Sequence, residues 1–440
     1  MAELNFNLGD YVRIRLALKE LEGRVLESTD SSVLLLKLNS GYNIGISRDN
    51  ILAGRVLRKF KEDASTQPAF SKQVGKEEET EKFEPKEDGE KKNIGLIITG
   101  GTIASKLDPK TGGVKHLVDI SEFAKFYPEL FKIVNVSKID VPFMIASESM
   151  TSEHWIKIAS SCEKMLNDKN ISGVIVTHGT DFLHYTSAAL SFMLRNLNKP
   201  VVLTYSQKSI DRASSDANLN LQCAARAAIS DAAEIMLVGH ANSDDDYCHA
   251  LLGTKVRKLH SSRRDAFKPV NISPLARVWA DRIEWLREYK PRNDEKVKLD
   301  TEFSEKVGLI KFYPGQDSSI LDYYALKYKG IIIEASGLGH LPVSESRDNW
   351  IPKLKKHIRN GLVVCVASQT IFGRVDGLVY SNGRELLDAG VIFLEDMLAE
   401  TAFVKLGFVL GHYGWKGNVR EKMLENFSGE LNPRLGGEFL

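Results

Sequence analysis

Two short runs place hydroxyl groups just behind an apolar stretch and glycine: Ile97-Ile98-Thr99-Gly100-Gly101-Thr102-Ile103 and Val174-Ile175-Val176-Thr177-His178-Gly179-Thr180-Asp181. Each reads as a buried strand running into a turn. Ligands of open α/β sheets bind beyond the carboxyl ends of strands, which is where Thr102 and Thr180 would stand. The glycines allow close backbone approach and present N–H groups. Hydroxyls in such a position are nucleophiles for acyl transfer when a base or cation activates them. The first run is not a phosphate-binding P-loop, because the lysine that should follow the glycines is missing. Blander readings stand beside these: a tight structural turn for the first run, and helix capping by Thr180 and Asp181 for the second. His178 reads as a structural residue rather than a base.

A third run, GTKVRKLHSSRRDAF over residues 253–267, is on charge alone a solvated basic loop. A lysine beside a threonine and an aspartate also makes a hydroxyl-activating set, a variant of triad logic. No His/Cys spacing suits a metal, so no metal site is expected.

The elements that must position these groups fall into distinct textures. Up to about residue 60, apolar residues alternate in five short runs separated by turn signals, which predicts a small all-β barrel, SH3-like or Sm-like. Residues 61–92 mix both charge signs with almost nothing apolar and predict a flexible charged linker. From residue 93 apolar strand-like runs alternate with helical patterns, such as Trp155, Ile158, Ala159, Cys162, Met165 and Leu166, with Thr151 or Ser152 as N-cap. Leu183, Leu190, Met193, Leu194 and Leu197 continue the theme, ended by Pro200. Such alternation predicts a parallel sheet with helices on both faces. A charged connection over 288–306 separates residues 93–300 from a smaller α/β unit over 301–412, and a polar tail over 413–440 reads as a docking segment for a partner.

The chain has 440 residues, 59 basic against 58 acidic, and a formal charge of +1, so nothing global draws it to nucleic acid or a membrane. Four cysteines without a CxxC pair read as buried free thiols of a reducing compartment. The opening segment reads as neither a signal nor a transit peptide, and no apolar run is long enough to span a bilayer; a cytoplasmic location is expected.

Together and in order, TGGTI, THGTD and the lysine upstream of residues 266–271 (AFKPVN) resemble the bacterial-type L-asparaginase and glutaminase family, over about residues 93–412. The resemblance implies asparaginase-like, doubly wound parallel sheets in two domains. It implies Thr102 as the attacking nucleophile and Thr180, Asp181 and Lys258 as a second hydroxyl–carboxylate–lysine set. Lys258 is chosen over Lys255 by counting back from Phe267. Ser147 and Glu148, within Ile145-Ala146-Ser147-Glu148-Ser149, match the segment that grips the substrate's α-amino and α-carboxyl groups, and Gly101 and Gly179 join the substrate site. The implied reaction is side-chain amide hydrolysis through an acyl-threonine, with Lys258 acting electrostatically or as a proton relay.

The barrel, tether and tail are more than a free asparaginase needs. With them, and with the ending Glu425-Asn426-Phe427-Ser428-Gly429-Glu430-Leu431, the chain resembles the D-subunit family of archaeal glutamyl-tRNA(Gln) amidotransferases. That resemblance implies release of ammonia from glutamine or asparagine, for use by the E-subunit of the amidotransferase in ATP-dependent formation of Gln-tRNA(Gln). It implies no cofactor in this chain, with ATP and Mg on the partner. It further implies a homodimer within a heterotetramer, and tRNA(Gln) held mainly through the partner. The lid sequence between Ser105 and Val114, KLDPKTGG, lacks the tyrosine of free asparaginases. Gly337-Leu338-Gly339-His340 stands where they carry asparagine-bearing loops. Both departures imply gated turnover in the isolated chain. The competing readings are a free cytoplasmic L-asparaginase with an accessory barrel, a non-catalytic scaffold, and an RNA-binding module. The last is disfavoured because the barrel lacks a basic, aromatic-laced stripe.

Overall fold

The computed structural model describes residues 6–26, 28, 31–39, 43–59, 91–107, 114–116, 123, 126–210, 212 and 214–435. Nearly all of the charged linker and the lid residues 108–113 lie outside the described residues. The chain divides into two compact units, one containing the N-terminal sheet and the other both α/β sheets.

The N-terminal strands are β1 (Tyr11–Arg15), β2 (Glu20–Leu26), β3 (Val33–Leu38), β4 (Asn43–Ser47) and β5 (Ala53–Arg58), where the alternating runs place them. They form one antiparallel sheet in the order β4-β3-β2-β1-β5. Period-two alternation turns Val12, Ile14, Val25, Leu34, Leu36 and Ile46 into a common core.

The large sheet begins with β6 (Asn93–Ile98), β7 (Asn135–Asp140), β8 (Val174–Thr177), β9 (Val201–Thr204) and β10 (Ile235–His240). These five are parallel, in the order β7-β6-β8-β9-β10. All four residues of β8 are buried, as expected of a strand covered on both faces. The chain then reverses into β11 (Cys248–Leu252), a separate ribbon of β12 (Val256–Lys258) and β13 (Phe267–Pro269), and finally β14 (Ala276–Val278) and β15 (Ile283–Trp285). β11, β14 and β15 extend the sheet antiparallel, so it is mixed rather than wholly parallel. The links β10–β11 and β14–β15 are short turns, and a parallel crossover needs a dozen or more residues. The second sheet is parallel throughout: β16 (Val307–Lys311), β17 (Gly330–Ala335), β18 (Val363–Ser368) and β19 (Ile392–Phe393).

Helix α1 (Ser152–Leu166) starts at Thr151, which closes a reciprocal cap with His154, and buries the apolar face read from the sequence. Helix α2 (Leu183–Met193) ends four residues before Leu197, because Leu194–Arg195 peels off to pair with Lys298–Leu299 and Asn196 takes φ 55°. Helix α3 (Ala217–Ala228) packs on β9, β10 and β11. Helix α4 (Ala399–Gly411) lies against α2 and against β16 and β17, so it carries packing from one sheet to the other.

Over its described length the tail packs against its own chain. Lys405 of α4 is fully buried and ion-pairs with the equally buried Glu430 at 2.7 Å. Its ammonium also donates to the carbonyls of Met423 (2.9 Å) and Glu425 (2.5 Å). The hydroxyl of Thr254 donates to the Ser428 carbonyl, and that of Ser428 to the Ser191 carbonyl. The sequence shows a polar, amphipathic segment; what it cannot show is that the polar groups satisfy a buried lysine. All four cysteines are buried free thiols. Among the described residues no helix is long and apolar enough to cross a membrane.

Removing one partner of a buried pair leaves an uncompensated charge. Glu430→Ala is expected to lose about 3–5 kcal/mol in chemical denaturation, whereas replacement of the exposed Glu421 in the same tail should leave the midpoint unchanged.

Candidate active site

β6 and β8 lie side by side, Ile98 opposite Thr177, so the turns that leave their carboxyl ends are neighbours. Thr99 locks them: its N–H and its hydroxyl both donate to the Thr177 carbonyl, at 3.2 and 2.8 Å. Its own carbonyl accepts from the Ile145 N–H at 3.2 Å, which brings in the segment of Ser147 and Glu148.

The glycines are dictated by this crowding. Gly100 and Gly101 have φ of 118° and 81°, a left-handed region costly for residues with a Cβ. A Cβ on Gly100 would lie 2.6 Å from the Ile145 carbonyl oxygen, and one on Gly101 would lie 2.5 Å from the Gly179 nitrogen. The three loops therefore meet backbone to backbone. Thr102 follows immediately, half-buried, and opens a short turn in which Ile103 and Ala104 are buried. The buried Tyr127 braces that turn, its hydroxyl donating to the Ile103 carbonyl at 2.6 Å.

Thr180 and Asp181 do not cap α2, whose N-cap is Phe182 with no side-chain bond. They face Lys258 instead. The Lys258 ammonium donates to Thr180 Oγ1 and to Asp181 Oδ1, both at 2.8 Å. The lysine side chain is 8% exposed and the carboxylate 62%. Lys258 ends β12, held by pairing with Phe267 of β13. The loop between them is pinned by the buried Tyr205, whose hydroxyl donates to the Arg264 carbonyl at 2.8 Å. Lys255 goes elsewhere: fully buried, it pairs with Asp396 at 2.5 Å. Two lysines three residues apart thus have unrelated partners, and only Lys258 reaches Thr180.

Ser147 is buried, and its Oγ accepts from the Phe182 N–H at 3.3 Å, tying its segment to the start of α2. Glu148 is exposed. A cavity of about 420 Å³ opens beside both, lined also by Trp155, Phe182, Tyr185 and Phe403; neither Thr102 nor Thr180 lines it. His178 is fully buried, with Nδ1 2.7 Å from the Gly179 carbonyl and Nε2 2.9 Å from Thr186 Oγ1. A carbonyl only accepts, so Nδ1 carries the proton and Nε2 accepts from Thr186. Burial pushes His178 down to about 4, so it is neutral at pH 7 and serves as a structural tie.

Three family models match the chain: "Asparaginase, N-terminal" over residues 93–291, "Glutaminase/Asparaginase C-terminal domain" over 306–423, and "GatD N-terminal domain" over 6–57. A curated relative from Thermococcus kodakarensis, named as the D-subunit of glutamyl-tRNA(Gln) amidotransferase, is 45% identical over 98% of this chain and 96% of its own length. One of the same name from Pyrococcus abyssi is 46% identical over 98% and 97%. The chain belongs to the D-subunit family of glutamyl-tRNA(Gln) amidotransferases. Its α/β unit is also similar to solved L-asparaginases. The thermostable enzyme from Thermococcus kodakarensis superposes with a TM-score of 0.68 at 30% identity, covering 78% of this chain and all of that one. L-asparaginase I from Vibrio cholerae gives 0.65 at 27%, covering 78% and 99%.

In this D-subunit family member, the sequence motifs contain the groups that meet at the strand ends but not those that hold them. Tyr127 and Tyr205 carry no motif, and only their burial identifies them; Thr99 and Thr177 open the two motifs, but nothing in those runs shows that they bond to each other. Because the Gly101–Gly179 approach leaves no room for a methyl group, Gly101→Ala is expected to cut amide hydrolysis by at least about 100-fold with little change in far-UV dichroism. Wild-type kinetics in that variant would show that the backbone contact does not position Thr102.

Proposed function

We propose that this chain is the ammonia-supplying glutaminase component of a tRNA-dependent amidotransferase. The observation that carries the reading is the Lys258–Thr180–Asp181 set, bonded at 2.8 Å on both arms beside the turn that presents Thr102. In this reading the Thr102 hydroxyl adds to the side-chain carboxamide carbon of glutamine or asparagine. The C–N bond breaks, ammonia leaves, and an acyl-threonine ester forms; water then cleaves the ester and restores the hydroxyl. Backbone N–H groups of the Gly101–Thr102 and Gly179–Thr180 turns steady the oxyanion, at about 3 kcal/mol per donor. As an ammonium, Lys258 polarises Thr180 and neutralises Asp181. The proton lost by the attacking hydroxyl ends on the departing nitrogen, which leaves as ammonia, and Lys258 acts on that transfer electrostatically or as a relay. Ser147 and Glu148 hold the α-amino and α-carboxyl ends of the substrate. No cofactor is required in this chain.

The partner in this reading is an E-subunit that binds ATP and Mg, holds most of tRNA(Gln) and converts Glu-tRNA(Gln) with the ammonia delivered. Two copies of this chain form a homodimer in a cytoplasmic heterotetramer. The Gly337–His340 loop supports that arrangement: it follows β17 and sits by the exposed run Leu378, Val379 and Tyr380, with His340 and Tyr380 rings 5.5 Å apart. The working divisions are residues 1–60, 61–92, 93–300, 301–412 and 413–440. A free L-asparaginase is the weaker reading, because relatives that match the N-terminal sheet as well as the amidase bear the amidotransferase name.

The test combines this chain, the E-subunit, Glu-tRNA(Gln), ATP-Mg and glutamine labelled with nitrogen-15 in its amide. Label is expected in Gln-tRNA(Gln). Thr102→Ala should abolish transfer from glutamine while leaving amidation from added ammonium intact. Label released only as free ammonia by the complete mixture would overturn the reading. Turnover of the isolated chain equal to that in the complex would remove the gating expected from the lid.

A further inference from the structure

The N-terminal sheet has an outward face that its linear sequence hides. Val12 and Ile14 of β1 point into the core, so Tyr11, Arg13 and Arg15 point out. Leu21 and Val25 of β2 pack inward, leaving Glu20, Glu22 and Arg24 outside. Leu36 of β3 is inside and Lys37 outside; Val56 of β5 is inside and Arg55 outside. Arg58 would face the wrong way by simple alternation. The register of β1 against β5 shifts at Tyr11/Val12, so that Val12 opposes Val56 and Tyr11 opposes Arg58. The irregularity re-aims Arg58 onto the face of Arg55.

The pairings then assemble a surface. One rung reads Lys37–Arg24–Tyr11–Arg58 across β3, β2, β1 and β5. The next reads Glu22–Arg13–Arg55, and a third Glu20–Arg15–Ala53. The face thus carries the cations Arg13, Arg15, Arg24, Lys37, Arg55 and Arg58 against the carboxylates Glu20 and Glu22. One carboxylate, Glu22, is already paired with Arg13. All the cations except Arg13 are exposed. Arg24 lies directly opposite Lys37, and Arg13 opposite Arg55. Like charges in facing positions weaken a sheet, and folding alone gives no reason to place them there. Tyr11 stands among them, its hydroxyl donating to Asn39 Oδ1 at 2.6 Å.

We propose that this face of the N-terminal sheet binds the phosphate backbone of RNA. Six cations against two carboxylates give the face the excess positive charge that a polyanion neutralises, and phosphate recognition uses arginine, lysine and tyrosine together. The choice of RNA rests on the proposed role in a tRNA-dependent reaction. The chain's overall charge of +1 makes this a local concentration of charge rather than a general basicity.

The test uses the full-length chain, a fluorescently labelled tRNA(Gln) transcript, and anisotropy titrations between 50 and 200 mM KCl. Affinity is expected to fall with salt. The triple variant Arg24→Ala/Arg55→Ala/Arg58→Ala should bind at least about 10-fold more weakly at low salt, with a log–log salt slope smaller by about two. Its glutamine hydrolysis and melting temperature should match wild type, and the corresponding triple lysine variant should recover most of the affinity. Unchanged affinity and slope in the alanine variant would overturn the proposal. So would intact RNA binding with lost association of the E-subunit, which would assign the face to a protein. A chain that binds RNA through this face but hydrolyses no glutamine would sink the functional reading and leave this inference standing.

Discussion

The contact on which the rest of the site depends is the approach of Gly101 to Gly179. Adjacent parallel strands are about 4.8 Å apart, and turns leaving them normally diverge to make room for side chains. Here a Cβ on Gly101 would come within 2.5 Å of the Gly179 nitrogen, so the two turns stay together only while residue 101 is glycine; a Cβ on Gly179 would instead meet the Ser147 hydroxyl at 3.1 Å. The Thr99 lock holds the strand ends in register just below, and Ile145 joins from the third loop. With those backbones fixed, Thr102 and Thr180 have little freedom left. In the proposed function, this positioning is what makes the Thr102 hydroxyl reactive.

The lysine is brought from elsewhere, and its delivery consumes much of the remaining architecture. Lys258 sits at the end of a two-stranded ribbon outside the main sheet, and Tyr205 props the loop that closes the ribbon. Three residues earlier, Lys255 and Asp396 form a fully buried pair. Asn432 from the tail donates to both carboxylate oxygens of Asp396, its backbone N–H at 2.9 Å and its side-chain amide at 2.7 Å. The tail thus satisfies two buried lysines, Lys255 indirectly and Lys405 through Glu430. Such pairs return little net stability, but losing one partner is costly, so the described tail belongs to the fold of the amidase unit.

What the sequence made legible follows from how local each signal was. TGGT and THGTD are contiguous, and strand, glycine and hydroxyl are read within a few residues, so both turns and their threonines could be placed. The five N-terminal strands were legible by their alternation and turn residues. The antiparallel strands Ala276–Val278 and Ile283–Trp285 were not, since each is too short for periodicity to register. Helical spacing through Leu197 overran the true end of its helix, because cross-chain pairing of Leu194–Arg195 overrides a local pattern. Capping by Thr180 and Asp181 was reasonable locally and lost to a lysine distant in the chain. The basic face of the N-terminal sheet was invisible for the same reason: its arginines are scattered in sequence and gathered only by register and a bulge.

The most direct test of the central claim, that Thr102 is the attacking group, is covalent capture. The chain, in complex with its partner, is treated with a diazoketone analogue of glutamine, and the adduct is mapped by peptide mass spectrometry. A single adduct on Thr102, absent from the Lys258→Ala variant and blocked by excess glutamine, is the expected result. An adduct on Thr180, or complete inactivation with Thr102 unmodified, would contradict the account.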